Sequence, residues 1–143
     1  MKESLQRFIK EDGLTVLIVL AIVIIYAYLR TPGDTFASMD TLETQLTSGQ
    51  PTVIEFYANN CSICLLSKPK VDQLERDLEG QALVVRLNVK DKVGLALASR
   101  WGVLGTPTFL VLNGQGDIVY AQAGAPDLES IKAAVVEATA EIP

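Results

Sequence analysis

Cys61 and Cys64 are the residues of this 143-residue chain whose type and spacing could carry out covalent chemistry. They are the only cysteines of the chain, and their C-x-x-C spacing would let them close a small disulfide across the first turn of a helix. Cys61, nearer the helix start, would lie at the positive end of the helix dipole, which favours its thiolate. The spacing alone therefore predicts either redox chemistry or metal binding.

The composition narrows this choice. Histidine is absent, which removes most zinc sites, and Leu65 instead of histidine after the motif excludes covalent attachment of a c-type haem. Two cysteines without another soft ligand make a poor metal site, so only a site shared between two chains stays open. We expect neither a metal nor a cofactor. The net charge of −5 and the lack of a basic stripe also argue against nucleic acid as a partner.

The elements around the cysteines follow from the hydrophobic pattern. An apolar run over 52–58 predicts a strand just before the motif, and the motif opens a helix over about 61–79. The pattern predicts six more elements. They are helices at 40–48, 91–100 and 128–140, a strand at 82–89, and a pair of strands at 108–112 and 118–123. A strand, helix, strand unit implies parallel pairing, so we predict an α/β domain with a mixed sheet flanked by helices.

An uncharged apolar segment precedes this domain. Residues 14–29 would span about 24 Å as a helix, and we predict a single transmembrane helix over 13–31. The alternative is a cleaved signal peptide with a weak site at Thr35-x-Ala37, for which the apolar span is long.

The charges around the apolar segment indicate its orientation. Lys2, Arg7 and Lys10 precede it, whereas only Arg30 follows it before Lys68. The positive-inside rule then places a flank at 1–12 in the cytoplasm. A linker at 32–38 and a folded domain at 39–143 would lie outside the cytoplasm, in the periplasm or a lumen, with the lipid bilayer as a partner.

Four features together resemble the thioredoxin family over about 52–140. The C-x-x-C pair follows the first central strand, Pro69 lies five residues after Cys64, Thr106-Pro107 resembles the family's cis-proline, and Gly114 lies at the family's hairpin glycine. The resemblance implies a thioredoxin-like fold. With the apolar segment, the chain is similar to membrane-anchored thioredoxin-like proteins of the periplasm or the thylakoid lumen.

The resemblance implies roles for three residues. Cys61 would be the nucleophile, Cys64 would resolve the mixed disulfide, and the two would form a Cys61–Cys64 disulfide. Glu55, where the family usually has aspartate, would be the base that deprotonates Cys64 through a water. The alternatives are that Glu55 faces the solvent or pairs with a basic residue such as Arg86.

Other positions around the motif would contact the substrate. The resemblance makes Thr106 and Pro107 a groove for an extended peptide. Asn60, Ser62 and Ile63 stand where the family usually has tryptophan and Gly-Pro, and we include them in the substrate-binding site.

Two further predictions concern structure. Trp101 aligns with a family aromatic near the site, and we predict that it packs in the core. Lys68 and Lys70, on either side of Pro69, are expected to form a solvated face.

These observations predict a membrane-anchored thiol–disulfide oxidoreductase that acts on disulfides or dithiols of extracytoplasmic proteins. A reductive role would need a membrane-embedded thiol donor, whereas an oxidase or isomerase role stays open. The alternative is a thioredoxin-fold accessory subunit of a larger membrane complex, such as one of electron transfer, with a structural role.

Overall fold

The computed structural model describes residues 13–30 and 32–140, so the predicted flank at 1–12 lies outside the described residues. The chain divides into an N-terminal unit up to residue 31 and a larger unit from residue 32 onward.

The N-terminal unit contains helix α1, Gly13–Leu29, whose 17 residues include no charge. Its side chains from Leu14 to Tyr28 are exposed. Within the described residues, no helix combines the length and the hydropathy that crossing a membrane requires. The transmembrane helix over 13–31 therefore stays a prediction.

The larger unit is built on a four-stranded sheet. Its strands are β1 Thr52–Tyr57, β2 Leu83–Asn88, β3 Thr108–Leu112 and β4 Ile118–Ala123, in the spatial order β2-β1-β3-β4. β1 and β2 are parallel, whereas β3 is antiparallel to both β1 and β4. The predicted mixed sheet is confirmed, and its strands begin and end within two residues of the predicted bounds.

Within residues 32–140, four helices cover the sheet: α2 Met39–Leu46, α3 Ser62–Asp77, α4 Lys92–Arg100 and α5 Leu128–Ala140. α3 and α5 pack on one face around Val53, and α2 and α4 pack on the other face around Ile54. Because β1 is central and covered on both faces, all six of its residues are buried. This explains why apolar residues occupy both faces of β1 and do not alternate with polar ones.

The pleat of β1 decides where Glu55 points. Glu55 is two residues after Val53, so its side chain points to the same face of the sheet, which α3 and α5 cover. Arg86 of β2 is its direct partner in the parallel register, and both side chains are buried. The alternative in which Glu55 faces the solvent is therefore wrong.

Residues 32–38 contain no helix or strand, but they contact the sheet. The Asp34 N–H donates to the Arg86 carbonyl oxygen at 2.9 Å, and the Arg86 N–H donates to Asp34 Oδ2 at 2.7 Å. A side chain at Gly33 would overlap the Tyr57 ring. The predicted linker is thus fastened to the exposed edge of β2.

Candidate active site

The two cysteines lie where β1 passes into α3. Cys61 is the N-cap of α3, and its Sγ accepts a hydrogen bond from the Cys64 N–H at 3.2 Å. The Cys61 thiol donates to the Thr106 carbonyl oxygen at 3.3 Å, a contact that only the protonated form makes. Cys61 is half-buried, whereas Cys64, one turn into the helix, is buried. Only Cys61 is open to a substrate.

The thiols differ in acidity. Burial acts to raise the pKa of Cys61, but hydrogen bonds from Cys64 outweigh it, so the pKa of Cys61 is lowered. Burial, reinforced by the hydrogen bond with Cys61, raises the pKa of Cys64 to about 11. Both are free thiols in this structure, which represents the dithiol form. The Cys61–Cys64 disulfide stays a prediction for the oxidised form.

Glu55 is buried beside Arg86, as one of the alternatives predicted. Its Oε2 lies 3.6 Å from Arg86 Nε. Burial raises the pKa of Glu55 to about 7, because the cost of desolvating the carboxylate exceeds the attraction of the Arg86 guanidinium. Glu55 therefore has the acidity expected of a proton acceptor near neutral pH. Its action on Cys64 stays a prediction.

Two acidic residues of α3 that were not predicted as site residues meet Arg86. Arg86 Nη2 lies 2.8 Å from Asp72 Oδ1 and 3.3 Å from Glu75 Oε2. Lys68 Nζ donates to Asp72 Oδ2 at 2.8 Å. The prediction of a solvated face is wrong for Lys68, whose side chain is only 18% exposed, whereas Lys70 is exposed. The i,i+4 spacing of Lys68 and Asp72 on one helix could have predicted their ion pair from the sequence.

A cavity of about 490 Å³ lies beside Cys61. The predicted Asn60 and Thr106 line it, and it continues along residues that were not predicted: Leu95, Val103 and Leu104. Leu104 is fully exposed. The cavity therefore places exposed leucine side chains, together with polar residues such as Lys90 and Ser99, next to the thiol that is open to a substrate.

The remaining predicted positions are Pro107, Ser62 and Ile63. The Thr106–Pro107 peptide bond is cis, which confirms the prediction, and Pro107 is buried. Ser62 and Ile63 are exposed on the first turn of α3. Neither lines the cavity, so their contact with a substrate stays a prediction.

Trp101 lies in the core, as predicted. It is half-buried and meets Phe56 edge to face, with 6.3 Å between the ring centroids. Among the described residues, no group of three or more cysteine or acidic side chains could hold a metal ion.

Comparisons with known proteins agree with this geometry. The family model described as Thioredoxin matches residues 35–137. A thioredoxin from Chlorobaculum thiosulfatiphilum is 32% identical over 80 residues, which cover 56% of this chain and 71% of that protein. The family match over residues 35–137 includes both cysteines and most of the larger unit.

Two further relatives are longer proteins. The thiol:disulfide interchange protein TxlA homolog from Synechocystis is 29% identical over 102 residues, 71% of this chain and 57% of that protein. The chloroplastic thioredoxin-like protein HCF164 from Arabidopsis thaliana is 34% identical over 84 residues, 59% of this chain and 32% of that protein. The chain thus spans only about a third to a little over half of these two relatives.

Among solved structures, the germline-specific thioredoxin Deadhead from Drosophila melanogaster superposes with a TM-score of 0.60 at 24% identity. The match covers 73% of this chain and 97% of that one. It supports the fold of the larger unit.

Proposed function

The chain belongs to the thioredoxin family, and from this premise we propose that it is a membrane-attached thiol–disulfide oxidoreductase acting on extracytoplasmic proteins. The observation that carries the redox part is the arrangement of the dithiol. Cys61 is accessible at the N-terminus of α3 with a lowered pKa, and Cys64 is buried behind it with a raised pKa. One thiol is thus suited to attack and the other to resolve.

The reaction proceeds by two exchanges. The Cys61 thiolate attacks one sulfur of a substrate disulfide, which forms a mixed disulfide and releases the other substrate sulfur as a thiolate. Cys64 then loses its proton and attacks Cys61 Sγ, so the second substrate thiolate leaves and the Cys61–Cys64 disulfide forms. The substrate gains two electrons and the protein loses two. A membrane-embedded thiol donor would reduce the protein again.

Glu55 would accept the proton that Cys64 loses. The Cys64 thiol, with a pKa of about 11, is almost entirely protonated at neutral pH and needs a base. Glu55 is buried with a pKa of about 7, so it can take up a proton and return it to solvent near neutral pH. We propose that a water connects the two side chains.

The substrate would lie along the cavity beside Cys61. Its cysteine must approach Sγ next to the Thr106 backbone, and a neighbouring side chain can enter the cavity between α4 and the loop before Pro107. The Leu95 and Leu104 side chains are exposed there, so we propose that an apolar residue flanks the substrate cysteine.

Reduction of the insulin disulfides by dithiothreitol tests the redox part. We expect the full chain to accelerate it, Cys61→Ser to abolish the acceleration, and Cys64→Ser to accumulate mixed disulfides that a thiol reductant releases. Ser48→Ala, on the exposed turn after α2 and outside the predicted site, should leave the rate unchanged. If the native protein forms a large stable assembly without Cys61-dependent activity, it is an accessory subunit and the proposal is wrong.

Attachment to a membrane through α1 is the second part of the proposal. It is supported by the uncharged, exposed apolar side chains of α1 and by the basic residues that precede it in sequence. The larger unit would then lie outside the cytoplasm. There the glutathione pool of the cytosol does not hold protein thiols reduced.

Fractionation and labelling test this attachment. The wild-type chain should stay with membranes after washing with alkaline carbonate, whereas Ile22→Lys should be released, with Gln115→Lys as a control on an exposed turn. After mild treatment with a phosphine reductant to free the thiol, a membrane-impermeant maleimide added to spheroplasts should label Cys61. Recovery of the wild type in the soluble fraction, or labelling only after lysis, would contradict the proposal.

A further inference from the structure

Arg86 is the centre of a buried charge cluster that the dithiol chemistry alone does not explain. Its side chain is 5% exposed. The terminal nitrogen Nη2 contacts two of the carboxylates of α3, at 2.8 Å from Asp72 and 3.3 Å from Glu75. Glu55 is left with the inner nitrogen Nε at the longer distance of 3.6 Å. The guanidinium is thus drawn toward α3 and away from Glu55.

The contact between Glu55 and Arg86 is an ion pair without a hydrogen bond. Among the described residues, neither Glu55 Oε2 nor Arg86 Nε has a hydrogen-bond partner, and the same holds for Arg86 Nη2. A charge-assisted hydrogen bond between guanidinium and carboxylate requires about 2.7–2.9 Å. Such a bond would stabilise the ionised carboxylate and make Glu55 a weaker base.

Asp72 has the geometry to prevent that bond. It makes the shortest ion pair with Arg86, and Lys68 holds its other oxygen at 2.8 Å. We propose that Asp72, held by Lys68, is a positioning residue that keeps the Arg86 guanidinium from closing a hydrogen-bonded ion pair on Glu55. The proposal rests on the proposed function only for its consequence in catalysis.

The surroundings of Glu55 contain few other groups that titrate. β3 and α5, which pack on the same face, contribute the apolar Phe109 and Ile131. Within the described part of the chain, the charged or titratable groups around Glu55 are Tyr57 on its own strand, Arg86 on β2, and Lys68, Asp72 and Glu75 on α3. The Cys64 thiol on α3 is the further titratable group, which the proposed water would connect to Glu55.

Titration of the Glu55 carboxyl carbon by NMR tests the proposal directly, in the dithiol form of the full chain. In Asp72→Asn we expect the midpoint to fall by about one pH unit or more, because Arg86 can then bond to Glu55. Asp77→Asn removes a carboxylate from the same helix that pairs with Lys132 instead, and it should leave the midpoint unchanged. An unchanged midpoint in Asp72→Asn would overturn the proposal.

A second background separates positioning from the direct effect of the Asp72 charge. In Arg86→Met there is no guanidinium that could move to Glu55. Adding Asp72→Asn to this variant should therefore shift the Glu55 midpoint by less than half of the shift that Asp72→Asn causes in the wild-type chain. An equal shift would show that Asp72 acts on Glu55 directly, against the proposal. If Arg86→Met does not fold, the chemical shift of the Arg86 Nε–H proton in wild type and in Asp72→Asn tests the proposal instead. It should move downfield in Asp72→Asn, and an unmoved resonance overturns the proposal.

The kinetic consequence appears in the second exchange. With 5,5′-dithiobis(2-nitrobenzoate), Cys61 releases one thionitrobenzoate in a concentration-dependent phase, and Cys64 releases the second in a concentration-independent phase. The pH profile of that second phase should move toward lower pH in Asp72→Asn and stay in place in Asp77→Asn. If the wild type lacks the second phase, the proposed function fails, while the NMR titration still decides the role of Asp72.

Discussion

Replacing Glu55 with glutamine should stabilise the dithiol form, and the gain should grow with pH. Burial, opposed by Arg86, raises the pKa of Glu55 from 4.5 to about 7. A carboxyl whose pKa is higher in the folded than in the unfolded chain binds its proton more tightly when folded. Its contribution to stability is therefore present below pH 4.5 and is lost as the pH rises to 7.

The size of the pKa shift of Glu55 determines how much Glu55→Gln should change the free energy of unfolding. At 1.36 kcal/mol per pKa unit, ionising Glu55 costs the folded state up to about 3 kcal/mol above pH 7. Glutamine has nearly the same shape but does not ionise, and Arg86 keeps Asp72 and Glu75 as partners. The difference in unfolding free energy between Glu55→Gln and wild type should therefore rise from near zero at pH 4.5 toward this value at pH 8.

Urea unfolding of the full chain with a phosphine reductant, followed by the fluorescence of Trp101, measures this difference. Trp101 is the only tryptophan and packs against Phe56 of β1, so its emission reports on the larger unit. Glu43→Gln is the matched control, because Glu43 is exposed and pairs with Arg100 on the surface. A difference that is flat with pH, or that favours the wild type at pH 8, would refute the reasoning.

Three further predictions follow from the same geometry. Iodoacetamide at pH 8 should alkylate Cys61 about 100-fold or more faster than Cys64, as followed by peptide mass spectrometry, because a thiol with a pKa of about 11 is almost entirely protonated there; equal rates would contradict the assigned acidities. Cys61→Ala should lower the free energy of unfolding by about 1 kcal/mol relative to Cys61→Ser, because serine keeps an acceptor for the Cys64 N–H at the N-cap of α3. Equal urea midpoints of the two variants would show that this N-cap hydrogen bond does not stabilise the protein. Gly94→Ala should cost about 1–3 kcal/mol in the same unfolding assay, since its Cβ would overlap the backbone of Asn88, and an unchanged midpoint would show that α4 can shift away.

Local patterns made the elements predictable from sequence. The apolar run of β1, the C-x-x-C pair with Pro69 in one helix, and the hairpin turn each depend on residues close together in the chain. The family resemblance added the cis bond before Pro107, which the structure confirms. It also indicated Arg86 as one possible partner of Glu55.

The arrangement around the dithiol depended on contacts that join distant segments. Glu55 is buried beside Arg86 because the parallel register of β1 and β2 places them opposite each other, and that register is a property of the sheet. Asp72 and Glu75 meet the guanidinium because α3 packs across the same face. Thr106 reaches Cys61 from 45 residues away. The sequence by itself therefore determined the elements and the identity of the dithiol, whereas only tertiary packing decided the charges that surround Glu55.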